Sequence, residues 1–546
     1  MESTTSHRRR WWHLDPGGAL GGLLLAALSM TPSLLPRAAL FQGAITGVSF
    51  AVGYGAGTLA WLVIRRLLPR RPRRRRALWI AYGVVWLGLT GIFSVLAFGW
   101  QNEVRRLVEM PPLDAVDLGG LLVGFLPAVA LLIAAGKLSR RLFRALQGKA
   151  GMPVALLGTV AVVAAGAAAV VLSATLVVDG VYLGLNGAPS ADAVEPSSQY
   201  RSAGPESAID WDDLGRHGAD FVGGGPTAQE ITALTGTPAK EPIRVYAGLE
   251  SAPTPAERAQ LVVDELDRTG AFDRSVLVVA TTTGSGWLEP QAVDSIEYLQ
   301  AGDTAIAAMQ YAYTPSWMSF VFDPDAPVDS ARALFDAVEE RWLRLPADER
   351  PQLVVYGLSL GAHGGQETFD GLDDLRTRTD GALFVGSPNG SRLWRDLQSA
   401  RDAGSPAWQP VLDAGREVRW ISRDGDEALL PGPWNAPRVL YLQHATDPVT
   451  WLGPELLWRA PEWLSPDQRG ADVSPSMTWI PVVTAVQVTI DMLGGEAVPA
   501  RHGHNFGDVV TTGWREVAGD ADLDEAAVDR IRVEIEGYAP IQPYQE

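Results

Sequence analysis

The sequence predicts an α-helical transmembrane bundle of about five spans followed by an α/β domain built on a mostly parallel sheet. Five apolar runs, each near the 20 residues that a bilayer core requires, crowd the first third of the chain. Charge divides at the same place. Of the 45 Lys+Arg and 63 Asp+Glu among 546 residues, 19 and 7 fall within residues 1–180, which leaves 26 and 56 for the remainder. Beyond residue 240, short β-branched runs alternate with helical patterns, the order that builds parallel strands joined by helices. The chain therefore divides into a transmembrane domain, 1–184, a linker and lead-in segment, 185–240, and an α/β domain, 241–546.

The apolar runs cover 17–35, 38–64, 77–100, 118–138 and 152–178. A cleaved signal peptide would supply a single run, so the pattern is that of a multi-pass protein. Cations concentrate at 8–10, 65–76 and 137–149, while the alternate loops hold few. Cationic loops stay in the cytoplasm, which puts the N-terminus inside and, after five spans, the α/β domain outside the cell membrane. Trp11, Trp12, Trp61, Trp79 and Trp100 stand near span ends, where an amphipathic ring rests at the headgroups. Few ionisable residues interrupt the spans, so they read as an anchor and not as an ion path. The stretch Thr31-Pro32-Ser33-Leu34-Leu35-Pro36-Arg37 reads as a helix stop, the alternative being a turn where lipid enters.

Composition removes several functions. A net charge of −18 argues against a nucleic-acid partner, because the cations sit beside apolar runs and read as topology signals. With no Cys there is no disulfide, thiolate metal site, Cys nucleophile or iron–sulfur cluster. Residues 185–208 are rich in Pro, Ser, Gly and Ala and read as a linker. Strands are then expected at 243–247, 275–281, 304–310, 353–356, 382–385, 418–421 and 439–443, with a further strand-like run at 486–490. Helices are expected at 255–268, 291–299, 330–343, 360–368 and 392–401.

Such a sheet carries its chemistry in the loops at the carboxyl ends of its strands. Gly357-Leu358-Ser359-Leu360-Gly361 follows one expected strand and opens a helix, the context of a nucleophile elbow. The competing reading is an ordinary turn with Ser359 as a helix cap. A serine hydroxyl needs a base within hydrogen-bond reach. His7 and His13 precede the first span, His217 lies upstream of the strands, His363 is fixed beside the elbow and His444 belongs to a strand. That leaves His504, with His502 as the alternative, in the loop Arg501 to Asp508; the pair as a metal site lacks further ligands. Asp447, just past a strand, is the first candidate for the acid that orients the imidazole, with Asp424 or Asp426 behind it and a plain turn role as the bland alternative. The oxyanion donors expected are the N–H of Leu360 and an N–H from Thr283 or Gly284 in the Gly-rich loop 281–287. No metal and no cofactor is called for.

Taken together, the five spans, TPSLLPR, TTTGSGW, GLSLGAHGG, LQHATDPV and GHGHNFG resemble the bacterial, mostly actinobacterial, membrane-anchored α/β-hydrolase family, and the resemblance covers nearly the whole chain. It implies a serine hydrolase at the membrane, with the Ser, Asp and His roles at Ser359, Asp447 and His504. The expected partners are the lipid bilayer and an acyl ester, thioester or lipid substrate met at the outer membrane face. An acyltransferase that passes the acyl group to an alcohol or glycan needs the same machinery, and a non-enzymatic exported membrane protein is the third reading. Trp451, Trp458, Trp463 and Trp479 follow Asp447 and read either as core or as the lining of an acyl groove.

Overall fold

The computed structural model describes residues 15–67 and 75–538. His7, His13, the cations at 8–10, Trp11, Trp12 and residues 68–74 of the second cationic loop lie outside the described residues. The chain forms two compact units, one of residues 1–172 with 474–487, the other of 173–473 with 488–546.

In the first unit the apolar runs become α1 (Pro16–Ser29), α2 (Ala39–Leu67), α3 (Arg75–Leu107) and most of α4 (Ala115–Asn186). Three helices among the described residues, α2, α3 and α4, are long and apolar enough to cross a membrane; α1, with 14 residues, is shorter than a span. The fourth and fifth runs share the 72 residues of α4, which is broken at Gly151 with φ 82° and ψ 173°, values that favour glycine. A methyl at Gly158 would lie 3.0 Å from the Leu146 side chain, whereas 12 residues of unbroken helix would separate the two by about 18 Å. The chain therefore folds back at Gly151, between the two runs.

The TPSLLPR stretch is a buried clasp. Arg37 donates to Gln42 Oε1 at 2.9 Å, to Ser33 Oγ at 3.0 Å and to the Gln487 carbonyl at 3.1 Å, while Gln487 Nε2 donates to the Thr31 carbonyl at 2.9 Å. Ser474 and Ser476 donate to the two oxygens of Glu103 in the same unit. The run 486–490, strand-like in sequence, is part of the helix Val483–Asp491. Alternating β-branched residues favour a pleated surface only where neighbouring strands exist, and among the described residues this run pairs with no strand.

The second unit is built on seven strands: β1 (Ile243–Ala247), β2 (Val276–Thr281), β3 (Thr304–Met309), β4 (Gln352–Leu358), β5 (Gly381–Val385), β6 (Val418–Ile421) and β7 (Arg438–Leu442). All pair in parallel in the order β1-β3-β2-β4-β5-β7-β6. Nearly every strand residue is buried, as expected of a parallel sheet covered on both faces, which is why the strands read as apolar runs without alternation. The helices Pro255–Thr269, Ala326–Leu343 and Leu360–Glu367 pack together as one layer, and Pro290–Leu299, Val509–Ala518 and Glu525–Glu536 as another.

Residues read as a linker carry structure of their own. Ser202 N–H donates to the Arg244 carbonyl at 3.0 Å and Arg244 N–H to the Tyr200 carbonyl at 3.1 Å, so 200–202 extend the sheet beside β1. The helices Gly215–Gly223 and Ala228–Thr235 follow, the second held by a capping box of Thr227 and Glu230.

Candidate active site

Because every strand runs the same way, the ends of β4, β5 and β7 open on one edge of the sheet. Ser359 is the single residue between β4 and the helix Leu360–Glu367. Its φ of 56° and ψ of −121° lie where an L residue is found only under constraint, at about 1–3 kcal/mol. That constraint is visible: Ser359 N–H donates to the Val385 carbonyl at the end of β5, at 2.9 Å. A capping serine would turn its hydroxyl to the helix, and Ser359 makes no such bond. Its side chain instead lines a pocket of about 350 Å3, together with His504, Leu360 and Thr283.

His504 is buried, and its Nδ1 lies 2.8 Å from Asp447 Oδ2, which accepts. The other ring nitrogen, Nε2, is buried and has no hydrogen-bond partner among the described residues. Asp447, fully buried, also accepts from Val449 N–H at 2.8 Å and from the Thr450 hydroxyl at 3.3 Å. The carboxylate is thus both a turn residue and the partner of an imidazole. Gly386, next to Val385 at the end of β5 and at φ 55°, explains how the ring reaches the elbow: a methyl there would stand 2.4 Å from His504 Cε1. Consecutive residues of β5 and its end therefore hold the serine backbone and the imidazole. Burial works against a charged His504 ring, but the Asp447 carboxylate beside it, with Glu496 and Glu289 near, holds its pKa above the ordinary 6.5.

The other candidates stand elsewhere. His502 Nδ1 faces Asp472 at 3.3 Å, and His502 does not line the pocket. Asp426 accepts from Ser422 N–H at 2.8 Å and Arg423 N–H at 3.1 Å, closing its own turn. Asp424 accepts from the Thr512 hydroxyl and lies 3.8 Å from Arg532. Both follow β6, the edge strand, and β7 separates it from β5. His363 Nδ1 is 3.1 Å from Ser391 Oγ, beside the elbow as its helical position requires. His444 follows β7 and bridges the Ser422 and Gly503 carbonyls, each at 3.0 Å, which ties down the loop that bears His504. Among the described residues no three His, Asp or Glu side chains gather as a metal would require.

Of the expected oxyanion donors, Leu360 opens the elbow helix and lines the pocket. The loop after β2 differs from expectation. Thr283 N–H donates to the Trp287 carbonyl at 2.9 Å, and Gly284 N–H to Ser316 Oγ at 3.1 Å, so both are committed within the protein. A tight turn closes the loop on itself, and sequence could not reveal that. Ser316 lines the same pocket, and a hydroxyl that accepts from an N–H keeps its own proton to give.

Two carboxyls escaped sequence reasoning. Glu289 is buried, and burial with repulsion from Glu496 pushes its pKa up to about 8; Tyr356 Oη is 3.5 Å away. Glu496, in the pocket wall, is likewise raised by burial and by the nearby Asp447. The only signal for Glu289 is its place just before Pro290 in an otherwise apolar lead into a helix. Of the two readings of the tryptophans after Asp447, core holds for Trp451 and Trp463. Trp451 and Trp463 are buried against each other, and Trp458 is exposed; none lines the pocket, whose aromatic wall is Tyr182, Trp287, Trp317 and Phe320. From the chain between Asp447 and His504 the pocket takes Val449, Leu452, Met492, Leu493, Gly495 and Glu496 instead.

A serine, an imidazole oriented by a buried carboxylate, and helix N–H groups at one pocket are the parts required for acyl transfer through a serine ester. Against known proteins, the alpha/beta-hydrolase family matches residues 243–531, and the N-terminus of that family matches residues 30–226. No curated protein and no solved structure matches the chain.

Proposed function

Because the chain belongs to the alpha/beta-hydrolase family, we propose that it is a serine hydrolase of acyl esters, thioesters or lipids, held at the membrane by its apolar helices with the sheet domain outside. The observation that carries this reading is the buried Asp447–His504 pair at a pocket that His504 and Ser359 both line, with His504 Nε2 lacking a hydrogen-bond partner among the described residues. In the proposed reaction Ser359 Oγ attacks the substrate carbonyl as its proton passes to His504 Nε2. Asp447 keeps the proton of Nδ1 in place and stabilises the imidazolium. The tetrahedral oxyanion takes the N–H of Leu360 and the hydroxyl proton of Ser316, polarised by Gly284 N–H. Collapse releases the alcohol or thiol with the proton from His504. Water, deprotonated by the same nitrogen, then frees the acid and restores Ser359.

A fluorophosphonate probe tests the assignment. It should label the detergent-solubilised chain and fail to label Ser359→Ala. In ester turnover His504→Ala should fall with Ser359→Ala by about 10³-fold or more, since such groups act as a unit, while His502→Ala keeps measurable activity. Labelling that survives Ser359→Ala, or the opposite ranking of the histidines, would sink it.

A further inference from the structure

The pocket at Ser359 has a larger neighbour, a cavity of about 1310 Å3, and the two share Tyr182, Ser285, Trp287 and Glu496 in their walls. An ester placed with its carbonyl at Ser359 has two halves to accommodate. The smaller pocket is walled by Trp317, Phe320, Leu452 and Leu493 and suits an acyl chain. The larger cavity carries Asn186, Ser190, Asp192, Arg216 and Asp220 and suits a polar alcohol.

Charge narrows the class of that alcohol. Arg244 also borders the cavity, but its guanidinium is bound to Asp294 at 2.5 Å and Glu297 at 2.7 Å, which leaves no net positive field for a phosphate. Asp192 and Glu496 would repel an anionic group further, and a quaternary ammonium, though drawn to these carboxylates, has no N–H or O–H to give them and no acceptor for Arg216. Neutral hydroxyls meet neither penalty, since each can donate to a carboxylate and accept from a guanidinium. Trp287 and Tyr182, in the walls of both pockets, are aromatic residues of the kind that stack on the C–H face of a sugar ring. The volume exceeds the range of about 300–1,000 Å3 that encloses a drug-sized ligand, so it admits more than one ring.

We propose, resting on the hydrolase reading above, that this cavity binds the alcohol half of the substrate as an uncharged glycosyl headgroup, with the acyl chain in the smaller pocket. Hydrolysis then adds water across the ester and releases a free fatty acid and a sugar, the sugar leaving through the larger cavity.

Calorimetry on the full-length Ser359→Ala chain in detergent reads binding without turnover. Octanoyl glucose should bind at least ten-fold tighter than ethyl octanoate, octanoyl choline or octanoyl glycerophosphate. Asp192→Asn and, separately, Arg216→Ala in the same background should each reduce that preference at least three-fold. Equal affinity for the four esters, or a preference for either charged headgroup, overturns the headgroup assignment whether or not the wild-type chain turns over. A wild-type chain that the fluorophosphonate leaves unlabelled overturns the hydrolase reading instead, and the binding result still decides the cavity.

Discussion

Gly284 N–H donates to Ser316 Oγ, and the Ser316 side chain borders the pocket at Ser359, so one hydroxyl links a backbone dipole to the place where an oxyanion would form. Ser316→Ala should therefore lower kcat by about 10- to 100-fold, toward the loss of a single oxyanion donor, and change KM little. Ser316→Thr, which keeps the hydroxyl, should restore most of the rate; an alanine variant of unchanged kcat would remove Ser316 from the mechanism. Glu289 permits a test at the same scale by pH. Its carboxyl ionises near 4.5 when unfolded and at about 8 when buried. Stability from this group is full below about pH 4.5 and is lost as pH rises toward about 8, because the unfolded chain gives up its proton first, at about 1.4 kcal/mol per pH unit. Glu289→Gln should thus shrink the fall in Tm between pH 5 and pH 8 in thermal melts. Parallel pH dependence of variant and wild type would mean that Glu289 is not buried in its neutral form.

The helix Ser316–Phe322 is the element that closes the apolar side of the pocket. Trp317 and Phe320 line that pocket and are still 44 % and 38 % exposed, so each side chain has one face on the cavity and another on the surroundings. An acyl chain that reaches them gains about 0.8 kcal/mol for each buried CH₂. The variant Trp317→Ala should raise KM for dodecanoyl esters about ten-fold and for acetyl esters less than two-fold. Trp458→Ala, at an exposed residue away from the pocket, should leave both values alone. Equal losses across chain lengths for Trp317→Ala would show that the helix only supports the fold.

For the whole molecule, a cationic, apolar N-terminal third is joined to a strongly acidic remainder, and the proposed topology, with the cationic loops in the cytoplasm and the sheet domain outside, follows from that asymmetry. Protease added to intact spheroplasts should digest the chain beyond residue 185 while leaving a cytoplasmic N-terminal tag intact. Protection of the sheet domain until the membrane is opened would mean an even number of crossings. The fold-back at Gly151 bears directly on this count, since it sets the two apolar runs of α4 on either side of a turn.

The seven strands, each within a few residues, and the tight turn at Ser359 are legible in the amino-acid order, because buried parallel strands are continuous β-branched runs and a strand–GxSxG–helix turn is local. That order also ranks Asp447 and His504 first, and the structure brings these two together at 2.8 Å. What sequence could not give was decided by strand order and loop packing. β7 lies inside β6, so Asp447 and not Asp426 faces the imidazole. Gly386 admits the His504 ring, the loop after β2 spends its N–H groups on Trp287 and Ser316, and Glu289 and Glu496 come near enough to the histidine to favour its charged form. The physical reason is common to these cases: a local pattern fixes what a segment becomes, whereas the distance between side chains far apart in sequence exists only after the sheet has set its strand order and the loops have closed over its edge.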